Sequence, residues 1–286
     1  MLPHPLVLRE MLTQWLKEDW GRGDRTTHAL FPDSAPLGKA VWFAKRSGVI
    51  AGLPIAQQVF TLVNPQAQFT ALVPEGGACA RHQPIATIET DMASLLMAER
   101  VALNITMRLS GISTVTAEYV QKIKHTKIQL LDTRKLTPGL RLLEKYATQV
   151  GGAVNHRYGL DEWAMIKDNH ISACGGIGPA VNRLRQHLPC LTPIQVEVEN
   201  LAQVQAVIPL AVAGILLDNM SIAEMAEAIA LIRTHSPHTK IEASGGITLD
   251  NISDIAQLDL DYISTSAMIT RSSWLDISME IQPLAH

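Results

Sequence analysis

From Lys127 onward the chain alternates short β-rich runs with helical segments, and no other feature limits its fold as strongly. The β-rich runs lie at 128–131, 164–166, 194–198, 214–217, 240–243 and 262–264, with a further short one predicted at 153–155. Residues at helical spacing fill 140–149, 179–188, 201–207, 222–233 and 249–257 between most of them. A strand, a crossover helix and a following strand pair in parallel, and such crossovers are right-handed. The repeat therefore predicts an α/β fold whose parallel sheet curls into a TIM-like barrel, incomplete at six or seven strands rather than eight.

The first part of the chain lacks this rhythm. Leu6, Leu8, Leu12, Trp15 and Leu16 predict a helix over 5–19 that stops at Gly21. The stretch EDWGRGDRTT that follows reads as a turn-rich, solvated connection. Strands are predicted at 39–44, 68–73 and near 85–89, with a helix at 53–63 and a turn over 74–77. Helices at 92–109 and 114–124 are expected to be separated by a break at Gly111. Mixed elements without strict alternation predict an α+β domain over residues 1–111. The barrel would then occupy 112–270, and the tail 271–286 would pack back on the first domain.

Each predicted barrel strand ends in polar residues: Asp132 to Lys135, Lys167 to Asn169, Glu197 and Glu199, Asp218 and Asn219, Ser244 to Gly246, and Ser264 to Ser266. Parallel barrels build their active sites at that face. The segment 132–170 also brings Arg134, Lys135, Arg141, Lys145, His156, Arg157 and Lys167 into a chain of formal net charge -3. A local basic site in a mildly acidic chain predicts a small anionic ligand; a nucleic-acid partner would need a broad basic face, and none is visible. Arg offers a planar fork and Lys a point charge, which suits a ligand with more than one carboxylate.

Within IQVEVEN the two-residue strand period sends Gln195, Glu197 and Glu199 to one side. Carboxylates aimed into a barrel need cations or a metal beside them. Glu197 is therefore read either as part of a Glu–Lys or Glu–Arg network, or, with Asp218, as lying near Mg²⁺, which binds through one or two carboxylates plus substrate phosphates. The SGG turn at Ser244, Gly245 and Gly246 offers backbone N–H groups to a phosphate.

No G-x-S-x-G, H-E-x-x-H or P-loop pattern occurs, which removes local support for serine hydrolase, zincin and P-loop NTPase chemistry. Cys79, Cys174 and Cys190 are too scattered for a disulfide framework or a Cys-based zinc site, and fit a reducing compartment. The apolar run 206–217 is too short to span a bilayer, and the first residues do not resemble a secretory signal, so a cytoplasmic protein is expected.

The segments EDWGRGDRTT, AERVALNITMRLSGIST, DTRKLTPGLRLLEKYA, GGAVNHRYGL, IKDNHI, VEVEN, LLDNM and IEASGGI occur in one order along nearly the whole chain. Together they resemble the quinolinate phosphoribosyltransferase family. That resemblance implies an N-terminal α/β sandwich, an incomplete barrel, and a homodimer with shared sites to which Arg100 of one subunit contributes. It is also compatible with higher homo-oligomers. It implies that Arg134, His156 and Arg157 bind quinolinate, with Lys135 and Lys167 between the two substrates and Thr133 among the substrate-binding residues. Glu197 and Asp218 would lie near the ribose and Mg²⁺, and Ser244, Gly245, Gly246, Ser264 and Ser266 would hold the 5-phosphate of 5-phosphoribosyl 1-diphosphate. The family commonly carries glycine where Ser266 stands, so the phosphate contacts here include a hydroxyl or a narrower pocket.

Overall fold

The computed structural model describes residues 2–284. The elements of its first part are α1 (Pro5–Trp20), α2 (Arg25–Leu30), β1 (Leu37–Ala44), β2 (Gly48–Val49), α3 (Leu53–Val63), β3 (Gln68–Ala71), β4 (Ala78–Cys79), β5 (Pro84–Asp91) and α4 (Met92–Ile123). Then come β6 (Gln129–Leu131), α5 (Arg141–Val150), β7 (Ala164–Ile166), α6 (Asp168–Cys174), α7 (Ile177–His187), β8 (Ile194–Val198) and α8 (Leu201–Val207). The chain closes with β9 (Gly214–Asp218), α9 (Ile222–His235), β10 (Lys240–Ser244), α10 (Ile252–Ile255), β11 (Tyr262–Ser264), α11 (Ala267–Thr270) and β12 (Ile277–Pro283).

These elements form two compact units. The first joins the described residues up to Ala117, the segment Pro138–Gly152, and the described residues from Ser272 onward; the second is Glu118–Thr137 with Ala153–Arg271.

In the first unit a four-stranded antiparallel sheet has the order β12-β1-β5-β3. β1 alternates buried and less buried residues, and its inward Trp42 meets the rings of Phe60 and Phe69 at centroid separations of 6.1 and 6.0 Å. β12, which carried no clear signal in the sequence, pairs with β1 from Gly38↔Pro283 to Ala44↔Ile277. The stretch read as a solvated connection runs into α2, whose first residues it contains. Asp24 caps it, its carboxylate accepting the Thr27 N–H at 3.0 Å and the Thr27 hydroxyl. Those bonds hold the Asp24 carboxyl below its ordinary range.

The expected break at Gly111 is absent: α4 runs unbroken from Met92 to Ile123. Glycine sits there because of packing. A Cβ at 111 would lie 2.0 Å from the Ser273 carbonyl oxygen and 3.1 Å from the Trp274 Cα, so the returning chain crosses the helix where there is no side chain. The helix tolerates a modest propensity penalty at one position because its buried face is packed along the rest.

The second unit is built on a six-stranded parallel sheet ordered β6-β11-β10-β9-β8-β7. From β7 to β11 each strand lies beside its predecessor, and β11 returns to pair with β6 through Ile263↔Leu130. The seventh candidate, 153–155, makes only one bridge, Leu131↔Val154, so the barrel is incomplete between β6 and β7. The helical signal at 249–257 yields only the short α10, while α6, which buries no residue, and α11 escaped the apolar periodicity. Among the described residues no helix is long and apolar enough to cross a membrane.

Gly111→Ala should destabilise the protein by about 2 kcal/mol or more, because backbone rather than a flexible side chain must give way. Urea unfolding would check this, and an unchanged midpoint would mean that the 273–274 segment does not rest on α4.

Candidate active site

Parallel register sets which residues share the inner face of the second unit. Glu197 lies opposite Leu216, Ser244 opposite Asp218, and Ser264 opposite Leu131. Neighbouring parallel partners point to the same side and residues two apart do so again, which puts Gln195, Glu197, Asp218, Glu242, Ser244 and Ser264 on one face. Glu199, beyond the end of β8, is exposed; its N–H donates to Gln203 in the turn into α8.

The buried carboxylate of Asp132, just after β6, organises the loop after the Val154 bridge. It accepts the His156 N–H at 2.9 Å and the Asn155 side-chain amide at 2.7 Å. Tyr158 donates its hydroxyl to the Asn155 Oδ1 at 2.9 Å, and Arg157 donates an Nη1 hydrogen to the Trp163 carbonyl at 2.8 Å. The His156 and Trp163 rings lie 5.1 Å apart. His156 and Arg157 are both buried. Burial, then the charge of Arg134, push the Arg157 guanidinium below its ordinary value, with Glu162 acting the other way. Arginine does not lose its proton in a protein, so the exposed Arg134 and the buried Arg157 are two permanent like charges near one another. Such an arrangement is stabilised by an anion.

Lys167 follows β7 and its ammonium pairs with the Glu197 carboxylate, so the inward Glu has a lysine beside it. The Asp218 carboxylate accepts the Asn219 amide at 2.7 Å. Asn219 has φ 53°, and its side-chain oxygen and N–H would meet a Cβ at Gly245 at 2.3 and 2.8 Å. With φ 85° as well, position 245 admits only glycine without strain. Nothing crowds the Cβ direction of Gly246 within 4 Å. Ser264 is buried, and Ser266 precedes α11. Lys135 and Arg134 are exposed, and the Lys135 N–H donates to the Thr133 hydroxyl at 3.0 Å. Arg100 belongs to the first unit, where its exposed guanidinium approaches only Glu99, at 3.8 Å, among the ion pairs of the described residues.

Among the described residues no cluster of three or more His, Cys, Asp or Glu side chains could hold a metal. Glu197 and Asp218 supply two carboxylates on one face of adjacent strands, a donor set that fits Mg²⁺ completed by phosphate oxygens and water, and does not fit a closed protein cage.

Two family models account for nearly all of the chain: the quinolinate phosphoribosyl transferase N-terminal domain over residues 24–110 and its C-terminal domain over 112–280. The chain belongs to the quinolinate phosphoribosyl transferase family. It is 51% identical to a probable nicotinate-nucleotide pyrophosphorylase [carboxylating] of Synechocystis, over 98% of this chain and 94% of that one. The human nicotinate-nucleotide pyrophosphorylase [carboxylating] is 36% identical over 98% and 93% of the two chains. The crystal structure of NadC from Streptococcus pyogenes superposes with a TM-score of 0.94 at 38% identity, covering all of both chains.

Of two buried acids of this family member, Asp132 stood in the sequence only among the strand-end polar residues and Glu242 carried no role. Asp132 opens the basic segment and is wholly buried beneath it; Glu242 lies in mid-strand two residues before Ser244. Strand period alone would have put Glu242 on the same face as Ser244. Its partners come from other strands and could not be read locally.

Asp132→Ala removes the acceptor of two bonds to the 155–156 segment and should cost about 3 kcal/mol of stability, with Asp132→Asn intermediate. Denaturant unfolding measures it; a loss under about 1 kcal/mol would show that Asp132 does not secure the loop.

Proposed function

We infer that the chain joins quinolinate to 5-phosphoribosyl 1-diphosphate, giving nicotinate mononucleotide, diphosphate and CO₂, as a pentosyltransferase in NAD biosynthesis. The full-length relatives carry that name, and the observation that carries the reading is the like-charged Arg134–Arg157 pair at the end of a parallel barrel. Two guanidinium groups, one of them buried and anchored, suit a planar dicarboxylate. A ligand with one carboxylate would leave half of that charge unmatched.

On this reading Thr133, Arg134, His156 and Arg157 surround quinolinate, and the turn of Ser244, Gly245 and Gly246 with Ser264 and Ser266 takes the 5-phosphate. Lys135 and Lys167 lie between the two substrates and neutralise charge there. As the bond to diphosphate breaks, positive charge develops at the ribose carbon, and Glu197 or Asp218 stabilises it. Mg²⁺ held by these carboxylates would neutralise the departing diphosphate. Attack by the pyridine nitrogen makes that nitrogen cationic, which stabilises the ylide left when the adjacent carboxylate departs as CO₂; the ylide carbon then takes a proton. Positioning and electrostatics are the protein's contribution.

The exposure of Arg100, and its place in the first unit, support a homodimer in which this side chain completes the partner's site. Assembly beyond the dimer is compatible with the same surface. The scattered cysteines support a cytoplasmic setting.

The decisive assay measures nicotinate mononucleotide and CO₂ from quinolinate plus 5-phosphoribosyl 1-diphosphate, with nicotinate as control. Product from quinolinate alone is expected, lost with EDTA and restored by Mg²⁺; turnover of nicotinate at an equal rate would overturn the dicarboxylate assignment. Lys135→Ala and Lys167→Ala should each reduce turnover at least about a hundredfold with little loss of folding. Unchanged turnover in either variant would remove that lysine from the mechanism.

A further inference from the structure

Glu242 is 2% exposed, on the inner face of β10, and belongs to none of the groups that meet substrate in the reaction described above. Burial pushes its carboxyl up, but the His156 imidazole, the Ser264 hydroxyl and the Gln195 amide outweigh burial and hold it below the ordinary carboxylate range. Its Oε2 lies 3.5 Å from the His156 Nε2 and accepts the Gln195 side-chain amide at 2.7 Å. Gln195 reaches it from two strands away, past Gly214 on the intervening β9, where a Cβ would come 3.4 Å from the Gln195 Cγ.

Two buried oxygens of this arrangement, the Glu242 Oε1 and the Gln195 Oε1, have no hydrogen-bond partner within the protein. Burying a carboxylate costs free energy that its partners must offset. A methionine or leucine would fill the same space at less cost. The matched oxygen faces a histidine whose other nitrogen is already engaged: the His156 Nδ1 accepts the Arg157 N–H at 2.9 Å. With Nδ1 an acceptor, the ring proton belongs on Nε2 and points at Glu242. The imidazole thus spans from the barrel floor to the Arg157 backbone.

We propose that Glu242 is a positioning residue for the dicarboxylate side of the site, fixing the His156 tautomer and, through the His156 ring, the place of Arg157. The inference rests on the assignment of Arg134 and Arg157 to quinolinate. It adds that specificity for the second carboxylate is set from beneath, by an acid that does not touch the ligand.

Glu242→Gln and Glu242→Ala separate the alternatives. The glutamine oxygen can still accept the Nε2–H, whereas alanine cannot. Glu242→Ala is expected to raise the quinolinate KM about tenfold or more with the 5-phosphoribosyl 1-diphosphate KM within about twofold, and Glu242→Gln to recover most of the loss. Imidazole ¹⁵N NMR should show His156 as the Nε2–H tautomer in the parent and in Glu242→Gln. Both substrates' KM values rising together, or glutamine performing no better than alanine, would overturn the proposal. Should Glu242→Ala not fold, Glu242→Gln decides alone: a parent-like tautomer with a quinolinate KM within about threefold of the parent upholds it, and anything else overturns it. A parent that never turns over quinolinate would sink the functional assignment instead, while the tautomer measurement still tests the contact.

Discussion

Two guanidinium groups that cannot shed their protons, Arg134 and Arg157, stand close enough for the charge of one to depress the other, and Arg157 is buried. Arg157 is not placed there by its own preference, because a buried guanidinium would gain by moving into water. The position is imposed by neighbours. Asp132 holds the backbone of His156 and the amide of Asn155, Asn155 holds Tyr158, and the Trp163 carbonyl takes the Arg157 head group. The free energy of folding the loop is thereby spent on holding the buried Arg157 near the exposed Arg134, an arrangement that an anion stabilises.

The same mouth carries the opposite charge. Glu197 is tied to Lys167, and Asp218 accepts from Asn219, whose left-handed backbone occupies the space that only a glycine at 245 leaves open. Cations, carboxylates and a backbone turn thus stand at or just beyond separate strand ends. A barrel can do this because each strand contributes its own terminus to one rim. A reaction in which a diphosphate leaves, a ribose becomes positive and a carboxylate departs needs all three at short range.

The first unit is assembled from stretches far apart in the chain. Its sheet places β1 between β5 and the distant β12, and its compact body also includes 138–152. Two buried contacts tie that segment in. Arg108 of α4 binds the wholly buried Glu144 at 2.6 Å, and Tyr146 donates to Glu75 at 2.7 Å. The Tyr146 hydroxyl is pushed far above its ordinary range by burial and then by the bond and charge of Glu75, so it serves as a donor throughout. Burial pushes Glu75 up as well, against its bonds from Gly52, Tyr146 and Leu53.

By itself the sequence determined the parallel α/β architecture, most strand positions to within a residue or two, and the collection of polar groups at the strand ends. Those features follow from periodicity, which is a local property of the chain. Tertiary structure alone decided that Gly111 is a crossing point rather than a helix break, that 277–283 is a strand, and that 153–155 contributes only a bridge. It alone paired Lys167 with Glu197 and set Glu242 beneath His156. A carboxylate or a glycine has no fixed role until its surroundings are known, because desolvation, partner charge and close approach depend on what the fold brings against it from far along the chain.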